Sequence, residues 1–300
     1  MSRFEVSRAA AHELLPACRL LFADGRAEHC RDRLLTDAHA SGLFVARDAD
    51  GRLRAAALVQ ALPGALGVAW PPRGDSRDAT AAVTAAACDW LRPRGVKVCQ
   101  AFAAAAEAAD MAPLERRGFR HTTQLVFLRC DLSPDGRADS EPRPPLTFVR
   151  DNPPLSNAFA GVLLATHEGT RDCPELNAPR TPAEILAGFT ASKTSEWYRA
   201  VRAGVSVGVV QMDFGADVET ADLTYIGVVP SARGRGVGAE LLTFATREAA
   251  LARVPALTVS VDARNEPAVR LYARYGFAEY DRREVWLAQF GEPGAGWGGG

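Results

Sequence analysis

The stretch Arg233-Gly-Arg-Gly-Val-Gly238 most limits what this chain can fold into. Glycines at 234, 236 and 238 let the backbone turn sharply and bring several N–H groups to one point. They stand between a strand-like run, Ala221 to Val229, and an amphipathic run, Val237 to Ala252. The pattern predicts strand, sharp turn and helix. Such a turn gathers backbone N–H groups beside the positive end of a helix dipole, which makes it a seat for a diphosphate. Arg233 and Arg235 can add charge-assisted hydrogen bonds to it. A solvated glycine-rich turn and a dinucleotide-binding turn are the competing readings, the latter because Gly234-x-Gly236-x-x-Ala239 precedes a strand ending in Asp262. Against the dinucleotide reading, Pro230-Ser-Ala-Arg233 separates the strand from the first glycine.

Around this segment the C-terminal half reads as a strand from Leu146 to Val149 and a helix over 156–166. A helix opened by a Thr181-Pro-Ala-Glu184 capping box follows. Strands Glu196 to Val201, Val205 to Phe214 and Ala221 to Val229 form an antiparallel meander. After the long helix come a strand from Ala256 to Val261, a short helix from Glu266 to Tyr275, and a hairpin through Glu279 to Leu287. Strands on both sides of a crossover helix imply a mixed sheet, an α/β (α+β) class.

A weaker copy of this order occupies the first half, with strands Leu43 to Ala46, Ala55 to Gln60, Gly67 to Trp70 and Val96 to Phe102, and a helix from Ala79 to Leu91. Its Leu114-Glu-Arg-Arg-Gly-Phe119 parallels Leu271-Tyr-Ala-Arg-Tyr-Gly-Phe277, which points to an internal duplication. The Pro- and Asp-rich run 131–145 is the expected linker between a domain over 1–130 and one over 146–290, and 291–300 is an expected flexible tail. With 35 basic and 36 acidic residues the chain has no global pull toward nucleic acid or anionic membrane. The six cysteines are scattered singly, so reduced thiols and no metal site are expected. The N-terminus lacks the apolar region of a signal peptide, and no apolar run reaches membrane-spanning length. A cytoplasmic monomer or homodimer is the expectation.

The segment Ala221 to Gly238 resembles the acetyl-CoA motif of the GNAT superfamily, a strand ending in Val-x-Pro followed by R-x-x-G-x-G and a helix, and Asp262-Ala-Arg-Asn-Glu-Pro-Ala-Val-Arg-Leu-Tyr272 resembles its next motif. The resemblance runs from Leu146 to Leu287 and implies two tandem GNAT-like domains, the N-terminal one degenerate. There Gly67-Val-Ala-Trp-Pro-Pro72 and RGDSRDAT lack the spaced glycines, Asp75 and Asp78 would repel a diphosphate, and Glu115 stands where the other half has Tyr272. Tandem halves with only the second fully equipped also resemble the mycothiol synthases.

The resemblance implies an acetyl-CoA-dependent N-acetyltransferase acting on a small-molecule primary amine. A protein or peptide acceptor, or a non-catalytic acyl-CoA-binding module, are the alternatives. It implies that the donor lies along Ile226, Gly227, Val228 and Val229, that Gly227 permits close approach of the thioester, and that the turn holds the diphosphate through Arg233, Gly234, Arg235, Gly236, Val237 and Gly238. Asn265 would contact the donor, or cap its helix as well. A backbone N–H near Val228 would stabilise the oxyanion, and Tyr272 would protonate the leaving thiolate. Some relatives carry a glutamate base where this chain has Ser260, which leaves Asp222, Asp213 or Asp262 as bases. Tyr225 and the loop acids Glu168, Asp172 and Glu175 would suit a cationic acceptor, the alternative being an ordinary polar loop.

Overall fold

The computed structural model describes residues 4–22, 25–36, 41–132, 146–153, 155–192, 194–215 and 220–290. In chain order the elements are β1 (Glu5–Arg8), α1 (Leu14–Leu21), α2 (Arg26–Thr36), β2 (Ser41–Arg47), β3 (Leu53–Leu62), β4 (Leu66–Ala69), β5 (Arg73–Gly74) and α3 (Arg77–Leu91). Next come β6 (Val98–Ala103), α4 (Ala112–Glu115), β7 (Arg120–Asp131), β8 (Thr147–Asp151), α5 (Asn157–His167), α6 (Pro182–Phe189), β9 (Ser195–Arg202) and β10 (Val205–Asp213). The last are β11 (Ala221–Val228), α7 (Val237–Leu251), β12 (Ala256–Asp262), α8 (Glu266–Arg274) and β13 (Ala278–Gln289).

Two units result, one of Met1–Thr122 with Arg283–Gly300, the other of Thr123–Arg282. In the first, the strand order is β1-β2-β3-β4-β6-β13, with β4 and β6 parallel and the other pairs antiparallel. In the second the order is β7-β12-β11-β10-β9-β8, with β11 and β12 parallel. Each sheet thus ends in a strand from the other half of the sequence: β7 pairs β12 from Ala256 to Asp262, and β13 pairs β6 from Val98 to Ala103. The sequence places its boundary in 131–145 instead, because register between distant strands leaves no local trace. Most of that run, 133–145, and the expected tail lie outside the described residues.

Alternation along β10 decides what covers the second unit's sheet. Val210 and Met212 are buried with Leu241, Leu242 and Ala245 of α7, whereas Val209 is buried with Phe159 and Leu163 of α5 and Trp197. Helix α5 starts at Ser156, whose hydroxyl accepts the Phe159 N–H at 3.1 Å, and buries Phe159, Leu163 and Thr166 along one face. The capping box at Thr181 and Glu184 opens α6 as its residues dictate. The expected terminal hairpin is instead one twelve-residue strand, β13. Among the described residues no helix is long and apolar enough to cross a membrane.

In the first unit, the place of the glycine turn is filled by the chain itself. Ser76 caps α3 by accepting the Ala79 N–H, and β5 pairs β3 so tightly that a Cβ on Gly74 would lie 2.6 Å from that of Ala55. Glu115 accepts the Trp286 indole N–H at 3.0 Å.

Candidate active site

Strands β11 and β12 are registered only at Ala221↔Leu257 and Asp222↔Thr258. Beyond Asp222 they part, and a cavity of about 760 Å³ opens between them. Val229 N–H donates to Val207 O at 3.1 Å, which makes this a directly bonded cross-strand pair. Alternation along an antiparallel pair then turns the N–H and C=O of Ile226 and Val228 away from β10, toward the gap. Among the described residues of the second unit, no strand covers this edge.

At the end of this edge the chain turns through Gly234 (φ 71°) and Gly236 (φ 78°), conformations that suit glycine. Gly236 is the N-cap of α7 and supplies no side-chain cap. The amides of Val237 and Gly238 lie in the first turn, where a helix offers no acceptor of its own. They line the cavity together with Gly234 and Gly236.

Arg233 lines the cavity beside this turn, with its guanidinium bonded to three main-chain carbonyls. Its Nε donates to Val228 O at 3.1 Å, Nη1 to Gly169 O at 3.3 Å and Nη2 to Thr166 O at 2.9 Å. Arg235 is exposed and lies outside the cavity lining. Val229 also drops out: it is buried in the core and its N–H is spent on Val207. Gly227 is demanded by packing, since a Cβ there would come within 2.7 Å of Thr166 Oγ1.

Tyr272 on α8 is 3 % exposed, packs against Phe277 and faces the cavity. Its hydroxyl has no hydrogen-bond partner among the described residues. Burial, with the Asp172 charge second, pushes its pKa well above the ordinary value and keeps it protonated. Asn265, at the N-cap of α8, makes no side-chain capping bond, so its amide is left to the cavity it lines.

The expected bases fare differently. Asp222 sits where β11 and β12 are still paired, bonded to Thr258 Oγ1 at 3.1 Å and outside the cavity lining. Asp213 accepts hydroxyls from Ser192, Thr194 and Ser195. Asp262 is fully buried and held by Arg264, by Thr123 Oγ1 at 2.6 Å and by the N–H groups of Cys173 and Arg264. Burial alone would raise its pKa, and those hydrogen bonds outweigh it and bring it to about 2.

Of the loop acids, Glu175 is engaged by both ends of the Arg264 guanidinium at 2.8 and 2.9 Å, and Glu168 is exposed outside the lining. Asp172 alone faces the cavity. Its Oδ1 accepts the Asp262 N–H at 2.8 Å, and burial, followed by the charge of Asp262, raises its pKa against the pull of that N–H and of Arg264. Tyr225 closes the same end: its hydroxyl meets Thr166 Oγ1 at 2.8 Å and its ring stacks on His167, with Phe189 edge-on. His167 Nδ1 lies 2.9 Å from Leu163 O, and burial lowers its pKa, so the ring is neutral near pH 7.

Sequence reading missed Thr166 altogether and took Asp172 only as a substrate ligand. Thr166 had a weak signal, one more buried position in the α5 row that ends at the small Gly227. Asp172 had none, because it is placed by an amide ninety residues away.

Residues 163–277 match the Acetyltransferase (GNAT) family. A mycothiol acetyltransferase of Streptomyces bingchenggensis (strain BCW-1) is 34 % identical over 85 residues, a match spanning 28 % of this chain and 28 % of that protein. Two solved structures share the fold over nearly the whole chain. A GCN5-related N-acetyltransferase from Sphaerobacter thermophilus has a TM-score of 0.61 at 18 % identity, over 96 % of both chains. A tandem GNAT protein from the clavulanic acid biosynthesis pathway, solved without AcCoA, has 0.60 at 18 %, over 97 % of this chain and 99 % of that one. Residues 163–277, with the open strand edge and glycine turn at their centre, thus carry the match to the acetyltransferase (GNAT) family, on a fold shared with a tandem GNAT protein.

Proposed function

We propose that this chain transfers the acetyl group of acetyl-CoA to the nitrogen of a small-molecule primary amine in the cavity between β11 and β12. The observation that carries the reading is an uncovered strand edge running directly into the uncapped, glycine-lined start of a helix. An amide-bearing arm ending in a diphosphate fits that edge and that turn together. The likeness to a mycothiol acetyltransferase supports a small acceptor.

Bound there, acetyl-CoA supplies an activated carbonyl. The amides of Val237 and Gly238, with the α7 dipole behind them, hold the diphosphate. Ile226 offers both backbone groups to the arm. Val228 offers its N–H to the thioester oxygen, where a donor is worth most as negative charge develops.

An alkylamine arrives protonated, with a pKa of about 10. Asp172 attracts the ammonium and takes its proton, directly or through one water, and its raised pKa brings it nearer the value a base needs at neutral pH. The neutral amine attacks the thioester carbon, Tyr272 gives its hydroxyl proton to the sulfur as the carbon–sulfur bond breaks, and the nitrogen sheds its second proton to solvent. The proton on Asp172 then leaves to solvent, and solvent restores the phenol.

Calorimetric titration of acetyl-CoA, followed by a thiol-release assay over a panel of primary amines, tests this. Binding with amine-dependent release is the expected result. Absence of binding removes the reading, and binding without release to any amine leaves an acyl-CoA-binding module.

A further inference from the structure

Arg233 opens the glycine motif and lines the cavity, yet its guanidinium is engaged by main-chain carbonyls. All three of its nitrogens donate to main-chain carbonyls, and two of those carbonyls, Thr166 and Gly169, belong to the end of α5 and the loop that follows. The third, Val228 O, is on the open edge of β11. A cation bridging the last carbonyls of a helix satisfies groups that the helix cannot, and sits at the negative end of its dipole. The same helix end is held a second time through Thr166, whose hydroxyl meets Tyr225 and fills the space Gly227 leaves. Three residues beyond Gly169 the loop presents Asp172 to the cavity.

We propose that Arg233 is a positioning residue, a tie between the donor turn and the acceptor loop that sets the place of Asp172, and that the diphosphate is held without it. The proposal rests on the acetyl-CoA reading above. A planar fork aimed at three carbonyls in different directions cannot be replaced by an ammonium, whereas a phosphate contact can, because lysine binds phosphate well as a point charge.

The test compares wild type with Arg233→Ala and Arg233→Lys, each checked for folding by thermal melting, using two thioesters: acetyl-CoA and S-acetylpantetheine, which carries the same arm without phosphates. Both variants are expected to lose acetyl-CoA affinity by no more than the factor by which they lose S-acetylpantetheine affinity. With the best amine of the panel, kcat/KM for the amine is expected to fall about 30-fold or more, the acid limb of its pH profile is expected to shift, and lysine is not expected to restore either. A loss of about tenfold or more confined to acetyl-CoA, restored by lysine, would make Arg233 a phosphate ligand and overturn the proposal. If Arg233→Ala does not fold, Arg233→Gln, which carries no charge, takes its place and is judged by the same ratio. If no amine is turned over by wild type, the enzyme reading fails while the thioester ratio still decides for or against the tie. If wild type binds neither thioester, both fall.

Discussion

In the proposed reaction Tyr272 and Asp172 carry opposite proton tasks within one cavity, and burial serves both by disfavouring charge on each. For the phenol this means the proton is present when the thiolate leaves. Tyr272→Phe is expected to lower turnover by roughly 10²–10⁴-fold, the range of a lost general acid, with acetyl-CoA affinity nearly unchanged in calorimetry. For Asp172 the sign runs the other way. A base works only when deprotonated, and burial raises the pKa, so turnover is expected to fall as pH drops through a window above the ordinary carboxylate value of about 3.9. Asp172→Asn is expected to abolish that limb of the profile and most of the activity, while acetyl-CoA still binds.

At the scale of elements, the parting of β11 from β12 creates the site, and α5 supports it from the face opposite α7. Gly227 is where the support touches: adding a methyl group there drives it into Thr166 and the Tyr225 ring. Gly227→Ala is expected to destabilise the fold by about 1–3 kcal/mol, seen as a lowered melting temperature, because overpacking forces backbone or rotamer shifts. Much at this scale was legible in the residues. The meander β9 to β11, the Thr181 capping box and the strand-turn-helix around Gly236 follow from local periodicity and turn chemistry, and the structure has them within a residue or two. What periodicity does not contain is pairing. It could not show that β13 runs as one strand or that β11 leaves β12 after two residues, because those are settled by partners far along the chain. Helix α2, RAEHCRDRLLT, went unread because charged residues dominate it. In the site, the glycines were legible as a turn and the resemblance pointed to the β11 backbone and Tyr272, whereas the opening of the edge, the use of Arg233 and the standing of Asp172, Glu175 and Asp262 depend on contacts between separate segments.

For the whole molecule, the decisive fact is that each half of the sequence gives the other a strand. A fragment of residues 146–290, cut where composition places a domain border, lacks β7 and bares β12 from Ala256 to Asp262, with Val126 and Leu128 removed from the core. An uncovered edge of that length invites association. This fragment is expected to aggregate in size-exclusion chromatography, whereas the full chain, which keeps β7 on β12, is expected to stay dispersed with strand signal in circular dichroism. The exchange also orders events on the ribosome. Strand β6 emerges early, yet its partner β13 is nearly the last element made, so at 5–20 residues per second the nascent first unit waits roughly 10–40 s for its closing strand. Through that interval Val98 to Ala103 stands open, and the half of the protein that is translated first is the half that must be finished last.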